Sequence, residues 1–245
     1  MLPKIDVPLY EITLPLLKKK VKFRPFLVKE EKILLMAMES QDENSIILAI
    51  KQIITNCCVT KIDVEDLPIL DFEYFFMNLR ARSVGEFIDL QYKCNNDVQV
   101  GEETKKCGTM IKLSFNALEV QSEGMKKDSN KIQLTDKLGV CMKYPTFKNM
   151  EKMGTSEEEN IGNMIAKLVC SSIDYIYDNE TVYYAKDAKE EELIEFVDSL
   201  TREQFGKIQD FFENIPKLKK ELPFKCSKCG YEEKILLEGI QSFFG

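Results

Sequence analysis

The chain has 245 residues, a net charge of −7 and no histidine. Without an imidazole there is no Ser-His-Asp or Cys-His catalytic pair, no histidine metal ligand and no imidazole pH switch. A hydrophobic fraction of 44% beside a charged fraction of 31% is the balance of a soluble globular protein, and the acidic excess argues against a general electrostatic footprint for nucleic acid. Arg24, Arg80, Arg82 and Arg202 are the only arginines, so bidentate recognition of phosphate or base edges has few agents.

Residues 1–27 are punctuated by Pro3, Pro8, Pro15 and Pro25. Proline fixes φ and donates no hydrogen bond, so the segment is expected to be an extended arm, packed on its own domain or reaching a neighbouring subunit. Its lysine cluster follows the apolar residues instead of preceding them, unlike a secretory signal. No run of about eighteen apolar residues occurs, so no transmembrane helix is expected. A helical block spans 28–85. Ile33, Leu34, Ala37 and Met38 recur at helical spacing, a second helix covers about Glu43–Cys57, and a third covers about Asp71–Arg82 with Phe72, Phe75, Phe76 and Leu79 as its apolar face. Adjacent cysteines point different ways and rarely share a metal, so Cys57 and Cys58 are expected to be buried thiols.

The period then changes. Residues 86–146 are β-rich, with strands at Phe87–Tyr92 and Ile111–Phe115 and a hairpin joining Ile132–Leu134 to Val140–Met142. Gln121–Asn130 has the composition of a mobile loop. Residues 147–220 form a second helical block. It holds a helix at about Ser156–Ile173, a short hairpin over Tyr175–Ala185, a helix at about Lys189–Ser199, and a helix opened by the Thr201…Gln204 capping box and ended by Pro216. Residues 221–245 form a knuckle hairpin and tail closing with Phe243 and Phe244, which are either an exposed partner anchor or part of the chain's own packing. The fold class is therefore α+β, with helical blocks around a β-rich, zinc-ribbon-like module closed by two cysteine pairs.

Four of the eight cysteines carry the candidate site. In Cys226-Ser227-Lys228-Cys229-Gly230, two intervening residues let both thiolates face one metal, and the glycine accepts the positive φ of such a turn. The flanks look like strand, whereas a redox CxxC sits at a helix N-terminus. A second half-site lies at Cys94 and Cys107, the latter followed by Gly108. Tyr92-Lys93-Cys94 … Cys107-Gly108 parallels Phe224-Lys225-Cys226 … Cys229-Gly230, with twelve residues between the cysteines instead of two. This is expected to be a knuckle with an inserted loop, which keeps its ends together at modest entropic cost. Cys94, Cys107, Cys226 and Cys229 would then hold one structural zinc with no open position. Metal-free or disulfide pairing, and a redox or iron–sulfur role, are the competing readings. Closure of the site would bring residues 94 and 229 together and make 147–216 an excursion from one compact unit. Cys141 and Cys170 lie in apolar contexts and are expected in the core.

Several segments together resemble one family. They are Val21-Lys22-Phe23-Arg24-Pro25-Phe26 with Lys29-Glu30-Glu31-Lys32 and Leu35; Ala49-Ile50-Lys51-Gln52-Ile53-Ile54 running into Cys57; Asp71-Phe72-Glu73-Tyr74-Phe75-Phe76 with Leu79-Arg80 and Ser83-Val84-Gly85-Glu86; Leu200-Thr201-Arg202-Glu203-Gln204-Phe205 with Phe211-Phe212 and Pro216-Lys217-Leu218; and Cys226–Gly230 followed by Leu237-Glu238-Gly239 and Phe243-Phe244. In order and spacing they resemble the baseplate hub proteins of T-even-type contractile-tailed bacteriophages, from about residue 8 to the end of the chain. The resemblance implies a non-enzymatic hub subunit or hub assembly factor. Such a protein would be assembled in the bacterial host cytoplasm into the virion tail baseplate, through contacts with other hub or tail proteins and possible self-association. Cysteine pairs are common in the family at both positions matched here. The alternative is a zinc-ribbon module binding nucleic acid or associated with transcription, suggested by lysines at 93, 105, 106, 225 and 228. Neither a Gly-rich phosphate loop nor a carboxylate pair at catalytic spacing is present, so an enzyme is the weakest reading.

Overall fold

The computed structural model describes residues 5–40, 42–101, 103–123, 128–151 and 161–243. The architecture is mixed α+β, and the chain divides into two compact units. One takes Met1–Val64, Leu70–Glu123 and Lys217–Gly245; the other takes Glu65–Ile69 and Gly124–Pro216.

Within the proline-punctuated segment 1–27, the chain forms a hairpin. Strands β1 (Tyr10–Thr13) and β2 (Lys20–Phe23) run antiparallel, with Tyr10 opposite Phe23 and Thr13 opposite Lys20. The prolines permit this because Pro8, Pro15 and Pro25 lie outside the strands, Pro15 in the turn itself. Alternation sends Val21 and Phe23 into the core. The turn is held from a distance: the buried Asp71 carboxylate accepts the N–H groups of Leu16 and Leu17 at 2.7 and 2.8 Å. Helix α1 (Val28–Glu39) opens where the Glu30 carboxylate accepts the Leu27 N–H at 2.8 Å, and that buried carboxylate is paired with Arg24 at 3.0 Å. Helix α2 (Glu43–Cys57) is capped by Asp42, which accepts the Ser45 N–H. Helix α3 (Ile69–Ser83) is buried over most of its circumference, including Phe72, Phe75, Phe76 and Leu79. A helix so placed is the central post of its unit.

Next, β3 (Phe87–Lys93) is followed by a small hairpin of β4 (Asp97–Val100) and β5 (Glu103–Lys106) before β6 (Met110–Asn116) returns to pair with β3. Ile88, Leu90 and Phe115 turn toward a core shared with Leu70, Met77 and Ala81 of α3. Strand β7 (Gln121–Glu123) occupies the start of the expected loop 121–130, of which 124–127 lie outside the described residues.

In the second unit, β8 (Lys131–Gln133) and β9 (Gly139–Met142) form the expected hairpin. Helices α4 (Phe147–Glu151) and α5 (Ile161–Ser172) follow, then β10 (Ile173–Tyr177), β11 (Val182–Tyr184), α6 (Glu190–Asp198) and α7 (Arg202–Glu213). The early part of the expected helix at 156–173, residues 156–160, lies outside the described residues. The sheet order is β11-β10-β9-β8. Its core contains Ile132, Val140, Met142, Val169, Ile173, Val197, Ile208 and Phe211. The capping box of α7 is reciprocal: Thr201 N–H donates to Gln204 Oε1 and Gln204 N–H to Thr201 Oγ1.

The chain then re-enters the first unit as β12 (Lys217–Lys225) and β13 (Glu232–Glu238), in the sheet order β13-β12-β7. The chain therefore passes between the units at 65, 70, 124 and 217. Pairing of β9 with β10 draws 131–142 into the second unit, and pairing of β12 with β7 draws 217–220 into the first.

Beside α3, the Glu73 carboxylate is 7% exposed and accepts the Ile240 N–H at 3.0 Å. Burial, which the hydrogen bond only partly offsets, pushes its acidity from an ordinary 4.5 up to about 7. The folded chain thus holds this proton where the unfolded chain has lost it. Stability contributed at low pH falls as pH rises from 4.5 to about 7 and is level above that, a change of about 3 kcal/mol. Glu73→Gln keeps an acceptor for Ile240 and removes the titration. Urea unfolding should show the variant gaining about 2 kcal/mol on wild type between pH 5 and pH 8. A difference that does not move with pH would contradict the assignment.

Candidate metal centre

The four singled-out cysteines converge in the first unit, although two come from the middle of the chain and two from near its C-terminus. Cys94 directly follows β3 and Cys107 precedes β6, while Cys226 and Cys229 lie in the turn between β12 and β13. The four sulfurs all lie within 4.8 Å of one another. Cys94 Sγ is 3.7 Å from Cys229 Sγ, and Cys107 Sγ is 3.8 Å from Cys226 Sγ. Cys94, Cys107 and Cys226 are buried and Cys229 is half-buried. All eight cysteines are free thiols. The sulfur spacing is nearly twice that of a disulfide, about 2.05 Å. The Cys94–Cys229 and Cys107–Cys226 separations match the edge of a tetrahedron whose centre lies about 2.3 Å from each sulfur, about 3.8 Å. The donor set therefore fits a four-coordinate thiophilic ion with every position supplied by protein.

The backbone shows why two differently spaced pairs make equivalent half-sites. In the short knuckle, Gly230 N–H donates to the Cys226 carbonyl at 2.9 Å and Cys226 N–H to the Tyr231 carbonyl at 2.7 Å. In the long one, Gly108 N–H donates to the Cys94 carbonyl and Cys94 N–H to the Thr109 carbonyl, each at 2.9 Å. The glycines have matching positive φ, 69° at Gly108 and 73° at Gly230. The twelve-residue spacing is absorbed by the β4–β5 hairpin, which leaves and rejoins the knuckle without disturbing this pattern.

Charge is divided unevenly over the sulfurs. The Cys229 N–H facing the Cys226 sulfur, aided by the Lys228 N–H, outweighs burial and draws that thiol down to about 6. The Thr109 hydroxyl, 3.3 Å from Cys107 Sγ, lowers Cys107 as well. At Cys94 the Asn96 N–H acts in the same sense, but burial and the three neighbouring thiols win and push it up to about 12. Four sulfurs this close cannot all ionise without a counter-charge, and a divalent cation among them would supply it. Around the sulfurs pack Val98, Ile111 and Tyr231, with the Phe224 ring 5.1 Å from Tyr92 and 6.3 Å from Tyr231.

A family model described as T4 bacteriophage base plate protein matches residues 7–245. The chain belongs to that family. No curated protein and no solved structure matches it. As a phage baseplate family member, the protein is a T4-type tail component, and no helix among the described residues is long and apolar enough to cross a membrane.

Of the other residues singled out in the sequence, Phe243 ends a 3-10 turn over Ile240–Phe243, while its side chain and the whole of Phe244 lie outside the described residues. Cys57, Cys141 and Cys170 are buried, and Cys58 is half-buried with its sulfur 3.2 Å from the Thr60 carbonyl. Sequence reasoning missed Asn96 and Thr109. Their positions, each two residues after a cysteine of the long-spaced pair, were the available signal. The equivalence of the knuckles makes a local prediction. A Cβ at Gly230 would meet nothing within 4 Å, so Gly230→Ala introduces only the backbone strain of an L residue at positive φ. It should cost about 1 kcal/mol in urea unfolding, and an unchanged midpoint would argue against the left-handed turn.

Proposed function

We propose that this protein is a hub subunit or hub assembly factor of the tail baseplate. In this reading it is non-enzymatic and acts through contacts with other hub or tail proteins. One structural zinc on Cys94, Cys107, Cys226 and Cys229 fastens its first unit. The observation that carries the reading is the convergence of four thiols, spaced for a tetrahedral ion, in a member of a phage baseplate family. A set of four protein donors leaves no position for water or substrate, which suits a structural ion and not a catalytic one. The lysines near the knuckles support protein contacts over nucleic acid. Lys105 is paired with Glu103, Lys106 with Asp97 and Lys225 with Glu232, so these three are already neutralised.

Metal analysis of the purified protein should give about one zinc per chain. Because a thiolate site is not preformed in the unfolded chain, a strong chelator or Cys226→Ser should lower stability by about 3 kcal/mol or more. Equal melting with and without chelator would remove the zinc from this account. The hub assignment has a separate check. Co-expressed with the other baseplate hub proteins, the chain should elute with them in size-exclusion chromatography with light scattering. Elution alone as a free monomer would count against it.

A further inference from the structure

The long spacing between Cys94 and Cys107 raises the question of what replaces the two-residue link of the other knuckle. In Cys226-Ser227-Lys228-Cys229, the N–H groups at the second and third positions after Cys226 face its sulfur. The second position after Cys94 is Asn96, and its N–H faces the Cys94 sulfur in the same way. The third position is Asp97, where the chain already departs into β4. What would be lost there is recovered by Asn96. Its carbonyl accepts the Cys107 N–H at 2.8 Å, drawing the distant cysteine back to the turn. Its side-chain Nδ2 donates to Cys229 Sγ at 3.7 Å, reaching across to the other knuckle. One residue thus touches three of the four cysteines.

We infer that Asn96 is the positioning residue of the metal centre: it closes the long-spaced knuckle through its backbone and hydrogen-bonds the Cys229 thiolate through its amide. The inference rests on the zinc reading above and deepens it. Donors to coordinated sulfur withdraw charge from it and fix its direction, so removing one weakens retention of the metal without removing a ligand. The β4–β5 hairpin beyond Asn96 contributes Val98 to the packing around the site, but no hydrogen bond to a cysteine is recorded from it among the described residues.

The test compares wild type, Asn96→Ala and Asn96→Asp as full-length, zinc-loaded proteins. Zinc release to a chromogenic chelator gives the rate, and the cobalt-substituted proteins give the thiolate-to-metal charge-transfer band. Asn96→Ala should release zinc about 10- to 100-fold faster than wild type. Asn96→Asp has the same shape but places a carboxylate against the thiolate, so it should release faster still and shift the cobalt band. If the side chain merely filled space, Asn96→Asp would hold zinc as firmly as wild type, and that result would overturn the inference. Equal release from all three proteins would overturn it too, leaving the zinc site standing. A wild-type protein without zinc or a cobalt–thiolate band would sink both.

Discussion

The first unit depends on one long-range closure, the meeting of Cys94 with Cys229 across 135 positions of sequence. Bringing the ends of a flexible segment of that length together costs about 4 kcal/mol beyond a constant in chain entropy. Several short-range and mid-range structures share the task of offsetting it. The β12–β13 hairpin presents two cysteines on a single turn, and the β3–β6 pair presents the other two. Burial of Leu218, Leu222 and Leu237 beside Ile88, Leu90 and Phe115 places both hairpins on one core. Charge sets the remaining condition. Sulfurs held about 3.7 Å apart repel one another as thiolates, so the geometry is comfortable with protons or a cation and not without either.

Much of this was legible in the sequence because it is encoded locally. The glycine after the second cysteine of each pair, the apolar residue two before the first, and the strand-like flanks sufficed to join the four cysteines into one set. The capping box at Thr201 and Gln204 marked the start of α7, and alternation marked β3 and β6. What was not legible is carried by distant partners. The N-terminal hairpin has prolines on both sides and a short strand on each arm, and its turn is anchored by Asp71, more than fifty residues away. The division into units depends on which strand β12 and β9 choose as neighbours, a choice that composition does not reveal. Asn96 escaped notice for a different reason: two of its three links to the cysteines run through its backbone, which any residue possesses.

The missing histidine also acquires a structural meaning. Metal-binding modules commonly mix imidazole with thiolate; here any such site is restricted to sulfur and carboxylate. Two carboxylates near the knuckles are engaged elsewhere, Asp97 with Lys106 and Glu232 with Lys225. That leaves the thiols as the available donor set. Belonging to a phage baseplate family gives this arrangement a setting in which a rigid body, presenting fixed surfaces to neighbours, is the property that counts.

The path of the chain through the first unit makes tolerance to length changes very unequal. In its longer excursion it leaves that unit at Glu123 and returns at Lys217, and these two residues are opposite each other on paired strands. Since exit and return are adjacent, lengthening a surface turn between them leaves the β7–β12 junction where it is, and each doubling of a flexible loop costs only about 0.6 kcal/mol. Strand β12 has no such latitude. A single inserted residue between Lys217 and Cys226 would reverse its alternation, turning Leu218 toward solvent or Leu222 and Phe224 out of the core. It would also rotate Cys226 away from its three companions. Variation in length can therefore accumulate in the turns of the second unit while the nine residues of β12 stay fixed in number.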